Sequence, residues 1–390
     1  MKKLLFTIAL LNVVLGINAQ GNNTGMGGND GNYQSLAERV TTIEKHNDMF
    51  NVYFNYAADA SAQETDGTWN TGFANKQFRL EIKGNLTDKL FYRLRHRMNK
   101  ANVAQGEDNF AKATDIMMVG YNINHKLSVQ AGKMCQIWGG FEFDVNPMYI
   151  YQYSDMVDNM DNFMAGVAVS YKPVPTQEFA VEISNANNGK FANEYPNAAA
   201  QGLKESNNPL TYIANWNGSF FGNKLQTRWS WGIQTQARHK YSRMLIFGQK
   251  LNLSKFQWYF DYMGAFDGLD RLKIASNELG DFMTTGQSYF SDVHYNSFIT
   301  KADWQIVPQW NVFVKGMYET ASVTKNEPLK NYRKSYGYFA GVEYYPEKSQ
   351  DLRVSLSYIG RKYNYNEKCG LKDYNTNRIE VGFMYRIKCF

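Results

Sequence analysis

From Met49 onward, apolar and polar residues alternate with a period of two, the spacing of a strand that buries or greases one face. "FNVYFNYA" puts Phe50, Val52, Phe54 and Tyr56 on one side, and "QFRLEIKGN" sets Phe78, Leu80 and Ile82 against Gln77, Arg79, Glu81 and Lys83. "FYRLRHRMNK" places Arg93, Arg95 and Arg97 on one face and Tyr92, Leu94 and Met98 on the other. The division recurs in "NFMAGVAVSY", "EFAVEISN" and "KLQTRWSWGIQTQ", and then in "KFQWYFDY", "QWNVFVKGMY", "SYGYFAGVEYY", "DLRVSLSYIG" and "NRIEVGFMYR". With less regular segments between these, the pattern predicts about sixteen strands.

The connectors fall into two alternating kinds. Tight ones stand at 85–89, 122–126, 172–177, 221–224, 253–255, 307–309 and 346–351. Between them run longer polar loops at 60–73, 99–112, 136–161, 186–208, 265–292, 320–334 and 363–375, with one short link near 238–242. Short turns at one end and long loops at the other mark a transmembrane antiparallel barrel with its turns in the periplasm. A soluble sandwich has no reason to segregate loop lengths in this way. The aromatic content, 27 Tyr and 25 Phe, supports the barrel, because Tyr56, Tyr92, Tyr171, Trp216, Trp258, Trp310, Tyr336 and Tyr385 fall near strand ends on the apolar face. The fold class is therefore all-β, a barrel whose lumen is wide enough for water, with Leu80, Val167, Trp229 and Val381 directed to lipid.

Upstream, "MKKLLFTIALLNVVLGINAQ" has the basic start, apolar stretch and small residue (Ala19) of a secretory signal, residues 1–19. "GNNTGMGGNDGN" reads as a linker, and Tyr33, Leu36, Val40 and Ile43 then follow the 3,4 spacing of a short coiled-coil helix within 20–48. That seam is a candidate oligomerisation element, with packing on its own protein the alternative. The barrel occupies 49–390 and directs the protein to an outer membrane by way of the periplasm.

Composition removes other classes. The mean hydropathy of −0.51 hides the apolar faces from any window average. Three cysteines (Cys135, Cys369, Cys389) are too few for a disulfide scaffold, and the five histidines have no ligand spacing, so no metal or cofactor is expected. No nucleophile, phosphate-loop or zinc-protease motif occurs, which argues against an enzyme, and an exported basic strand does not suit nucleic acid.

What remains is solute passage through the lumen. Arginine and lysine line anion pores, and acids line cation pores. The inward bases are Arg79, Lys83, Arg93, Arg95, Arg97, Arg228, Lys315, Arg353 and Arg361, interspersed with Glu81, Asp261, Asp303, Glu319 and Glu343. Arginines on alternate residues of one strand stand about 7 Å apart, and a hydrated lumen lets them hand an anion along. The third long loop, 136–161, carries Trp138, Phe141, Glu142, Phe143, Asp144 and Tyr149. A loop that apolar is expected to fold inward and narrow the pore. A barrel serving as scaffold or adhesin is the alternative from another class.

The chain resembles the phosphate-selective porins of the O and P type in the form found in Bacteroides-like bacteria. The resemblance rests on the Asn/Gly linker and short helix, on "YRLRHRMNK", on "AGKMCQIWGGFEFDVNP" before the third loop, and on a last strand ending at Phe390. It implies a sixteen-stranded barrel, a homotrimer, handling of Phe390 by the barrel-assembly machinery, and inward arginines that pass small anions such as phosphate. A general or oligosaccharide porin is the alternative within the same class.

Overall fold

The computed structural model describes residues 49–103, 108–283 and 287–389. The helical seam at Tyr33, Leu36, Val40 and Ile43, the signal stretch and Phe390 lie outside the described residues. Sixteen strands pair in sequence order, and the last pairs with the first, so the sheet is a closed antiparallel barrel. They are β1 (Asn51–Thr65), β2 (Thr68–Asn85), β3 (Leu90–Arg97), β4 (Thr114–Asn122), β5 (Leu127–Cys135), β6 (Phe163–Val174), β7 (Gln177–Asn185) and β8 (Leu210–Phe220). The second half comprises β9 (Leu225–Ala237), β10 (Lys240–Asn252), β11 (Phe256–Leu269), β12 (Ser291–Val307), β13 (Trp310–Val323), β14 (Arg333–Tyr344), β15 (Asp351–Tyr365) and β16 (Tyr374–Lys388). The seam runs from Tyr53 opposite Lys388 to Thr65 opposite Thr376.

Alternation decides which side chain faces which solvent. The wall's lumen face is polar and covered, as Arg93, Arg95, Asp261 and Arg361 are each 2% exposed or less. On the outside, Phe179, Trp216, Trp229, Phe247, Tyr262, Phe298, Tyr318 and Tyr336 stand opposite one another from β7 to β14. Their successive ring centroids lie 5.0–6.5 Å apart. Because the strands tilt, a row perpendicular to them climbs obliquely around the wall, and it ties neighbouring strands through aromatic pairs.

The first expected long loop, 60–73, is instead a hairpin. β1 and β2 continue to a two-residue turn at Asp66 and Gly67, both with positive φ (51° and 81°), and Thr65 pairs with Thr68. Asp-Gly is the favoured pair for such a turn. The segment reads as a loop because its Ala, Ser, Thr, Asn and Gly carry no apolar alternation where the hairpin rises beyond the lipid.

Two bulges matter for the lumen. Ala57 opposes Gln77 but Ala58 opposes Asn75, so Lys76 is the extra residue of β2. Arg95 opposes Ile116 but His96 opposes Thr114, so Asp115 is the extra residue of β4. A bulge re-aims the side chain it inserts, and both charged residues turn inward.

Val167, near the middle of β6, is 46% exposed on the outer face. Replacing it with Arg should cost about 2–4 kcal/mol of folding stability in a bilayer, read as a lower urea midpoint in liposomes.

Candidate functional site

The loop after β5 leaves the wall through Gly139 and Gly140, whose φ values of 72° and 84° suit residues without a Cβ. It then crosses the barrel interior. A first helical turn, α1 (Phe141–Asp144), receives the Asp261 carboxylate of β11 on the backbone N–H groups of Phe141 (3.0 Å) and Glu142 (2.7 Å). A second, α2 (Asp155–Asn159), stands against β12–β15. Trp138 packs so closely on Gly232 of β9 that a Cβ there would lie 2.5 Å from the indole ring. Trp138, Phe141, Phe143, Met148 and Tyr149 are all buried.

Charge fixes the loop as firmly as packing does. Glu142, wholly buried, accepts from Lys315 Nζ and from the Ser154 backbone N–H (3.1 Å), while Lys315 also donates to the Gln152 carbonyl (2.7 Å). Asp144 pairs with Arg228 at 2.7 Å. Tyr149 donates to Asp351 (2.5 Å) and lies under the Arg353 guanidinium (4.1 Å), which pairs with Glu343 at 2.8 Å. Asp155 meets Arg361 at 2.8 Å and also Arg333, and Arg361 reaches Glu319 at 2.9 Å. One loop thus engages strands on most of the wall. Breaking such a buried pair on one side leaves an uncompensated charge, so the contacts hold it in one place.

The arginine row of β3 differs from the hydrated ladder expected. Arg93 donates to Glu81 (2.8 Å), which also faces Arg386 (3.6 Å). The bulged Asp115 gathers Arg95 (3.3 Å), Arg97 (2.7 Å) and Arg79 (3.9 Å) around one carboxylate. Arg93 and Arg95 are 2% and 1% exposed, and the Phe163 ring covers Arg95 at 5.1 Å. Acids, not water, meet the first two guanidiniums, and Arg97, with 28% of its side chain exposed, is the member nearest to open solvent. Lys83 lies over the Tyr53 ring (5.6 Å).

The loop is anchored mainly along β7–β15, reaches β2 where Gln77 donates to the Pro147 carbonyl (2.5 Å) and β16 where Arg378 donates to the Tyr151 carbonyl (3.3 Å), and leaves space beside β16 and β1–β4. A cavity of about 470 Å³ is bordered by Arg79 and Arg97 of the wall, by Lys100 and Lys112 of the connection between β3 and β4, and by loop residues from Tyr153 to Asn162. A second, about 300 Å³, lies toward β16, β1 and β2, where Lys76 and Arg378 face Tyr151, Gln152 and Tyr153. Lys76 pairs with Glu380 (2.7 Å) and Asp59 (3.1 Å), and Arg378 with Glu380 (2.7 Å).

Of the inward bases read from sequence, Arg79 and Arg97 border this space, whereas Arg228, Lys315, Arg353 and Arg361 hold the loop. Lys76, Lys100, Lys112 and Arg378 were missed. Strict alternation from Phe78 puts Lys76 on the lipid side, and only the bulge reverses it. Arg378 carried a usable signal, being in step with Glu380. Cys135 and Cys369 are buried free thiols.

The model of the family "phosphate-selective porin O and P" matches residues 50–387. None of the curated proteins matches the chain in sequence. Among solved structures, the outer membrane channel DcaP of Acinetobacter baumannii is similar with a TM-score of 0.60 at 12% identity, covering 89% of this chain and 99% of its own. The anion-selective porin from Comamonas acidovorans gives 0.57 at 9% identity, covering 87% and 99%. The in-vitro folded trimer form of OmpT, an outer membrane protein of Vibrio cholerae, gives 0.52 at 10%, covering 87% and 100%. Identities this low speak for the fold alone.

Lys315→Met should strand Glu142 and cost about 3–5 kcal/mol, with the loop becoming a substrate for chymotrypsin. Adding Glu142→Gln should recover much of that loss, measured by the same urea titration.

Proposed function

The chain belongs to the phosphate-selective porin O and P family, and from that premise we propose that it forms a passive outer-membrane channel biased toward small anions, phosphate among them. That it is a porin of the bacterial outer membrane follows from the family and the closed barrel. The anion bias rests on one observation above the others. The space left beside the loop is bordered by seven bases, Lys76, Arg79, Arg97, Lys100, Lys112, Lys133 and Arg378, against three acids, Asp115 of the wall and Asp158 and Asp161 of the loop. Bases that outnumber acids along a narrow path raise the local concentration of anions, and fixed lumen charges sort ions in this way.

The path runs beside β16 and β1–β4, not along the length of the β3 arginine row. Arg93 and Arg95 shape it indirectly, by packing with Glu81 and Asp115 behind it. Water in the cavities keeps each encounter shallow, so an anion is drawn in without being captured.

Assembly as a homotrimer is part of the same proposal. The seam at Tyr33, Leu36, Val40 and Ile43 supports it, as does the trimer form of the OmpT relative. Handling of Phe390 by the assembly machinery is proposed on the same footing.

Three measurements test these readings. In a planar bilayer with a KCl gradient, the reversal potential should report chloride preference, and Lys100→Gln with Lys112→Gln should move it toward zero without impairing assembly, since both side chains are exposed. An unchanged potential contradicts the path described. Desolvation beside the wall raises the Asp158 and Asp161 carboxyls from their ordinary value. They therefore take up protons earlier than ordinary carboxylates as pH falls, which removes negative charge beside the path. Chloride preference should accordingly rise on acidification from neutral pH, before the bulk of the carboxylates titrate. Native mass spectrometry of the full chain should give three copies, and a monomer alone refutes the trimer.

A further inference from the structure

On the outside of β12–β15 the wall changes chemistry in a single step. Phe298, Tyr318 and Tyr336 belong to the aromatic row, and Lys362 stands opposite Tyr336 at its end. Two residues nearer the long connectors, the next row reads Asn296, Thr320, Lys334 and Asn364, each opposite the one after it. Asn296 accepts from the Tyr262 hydroxyl (3.0 Å) and donates to Thr320 Oγ1 (3.2 Å). Long connectors mark the extracellular end of such a barrel, so the step from rings to amides, hydroxyls and ammonium groups is the outer boundary of the lipid.

Two lysines at that boundary lack acid partners. In the connector between β13 and β14, Lys325 pairs with Asp292 (3.1 Å) and Lys330 with Glu327. Lys334 and Lys362 are exposed and make no ion pair or hydrogen bond among the described residues. They are diagonal neighbours on adjacent strands, about 7–8 Å apart, so two like charges share one patch. The acids nearest in the chain fold serve the other side of the wall, where Arg333 and Arg361 take Glu278, Asp155 and Glu319. Glu64, two strands away on the outer face, accepts from Asn377 (2.6 Å) and from the Gly67 N–H (2.5 Å).

Lysine stems lie along apolar surface while their heads reach polar surroundings, which brings both ammonium groups to headgroup depth beside the Tyr336 ring. They supply charge and donors but no acceptor, and a phosphate monoester brings the opposite charge and three acceptor oxygens. We propose that Lys334 and Lys362 bind the phosphate of a phosphorylated glycolipid in the outer leaflet. Asn296, Thr320 and Asn364, in the same row as Lys334, offer amide and hydroxyl groups to the sugar that carries the phosphate. A bound phosphate relieves the repulsion between the lysines, and the acyl chains descend over Tyr336, Tyr338 and Tyr358, all exposed on the outer face. This surface lies outside the barrel and is independent of what passes through the lumen.

The test titrates the full-length protein in detergent with monophosphorylated lipid A and reads retained lipid by native mass spectrometry. Lys334→Gln and Lys362→Gln should each weaken retention about 5-fold, and together about 25-fold. Dephosphorylated lipid A should bind wild type and the double variant alike, within about twofold. Arg243→Gln removes an exposed base from the outer face of β10 and should change nothing. Both lysines are exposed, so the variants should assemble and conduct as wild type does, which separates a lost lipid site from a lost fold. The proposal is overturned if the double variant holds the phosphorylated lipid as tightly as wild type, or if Arg243→Gln weakens retention equally. Displacement of the lipid by millimolar inorganic phosphate would assign the lysines to free anions and overturn it as well. Equal retention of phosphatidylglycerol would show that charge alone is read, and the glycolipid assignment fails.

Discussion

A bilayer core offers no water to an unpaired N–H or C=O, and the pairing of β1 with β16 is what lets this polar backbone lie in lipid at all. Everything else follows from that closure. Once the sheet has no edge, each strand has an inside and an outside, and the alternation of residues becomes a sorting of solvents. Phe, Tyr, Trp and the aliphatics go out, while the arginines, lysines and acids go in. Closure also removes the option that soluble sheets have of filling one face with a hydrophobic core. The interior charges must find partners among themselves, in water, or on whatever enters the barrel.

Here the third loop enters, and it brings charges that match. Glu142, Asp144 and Asp155 arrive where Lys315, Arg228, Arg333 and Arg361 await them. Such pairs add little net stability over an apolar replacement, because both members were well solvated before burial. Their value is positional. A loop held only by Phe141, Phe143 and Met148 could slide over an oily surface, whereas one held by buried ion pairs at separate points of the wall has a single low-energy seat. The β3 arginines follow the same logic on the opposite wall, with Glu81 and Asp115 as partners.

How much of this was legible in the sequence depended on whether the information was local. Strand positions and the outward set were readable because period two is written in consecutive residues, and even "DG" at 66–67 held a hairpin signal that loop-like composition masked. The inward arginines were readable as inward. Their partners were not, since Asp115 faces them only through an extra residue in β4, and pairing between Lys315 and Glu142 joins residues far apart in the chain. Lys76 illustrates the limit most clearly. Alternation alone points it at lipid, and one bulge opposite Ala57 reverses the assignment. A bulge is set by the fit of two strands, so neither strand's sequence announces it. The division of the bases into those that anchor and those that line the open space belongs to the same non-local class.

Displacement of the loop to one side of the lumen has a consequence for molecules that are neutral overall but carry separated charges. With bases on the β16–β4 wall, partly offset by Asp59, Asp115 and Glu380 beside them, and Asp158 across from them, the proposed path would carry a field with a component across the barrel. A dipolar solute lowers its energy by lying crosswise, with its negative end to the wall. Its travel is lengthwise, so alignment and motion oppose each other. The loss of orientational freedom grows with the distance between its charges, and compact dipoles turn within the gap where extended ones cannot. On the proposed path such molecules would be sorted by their ability to rotate, an axis of discrimination independent of both net charge and cross-section.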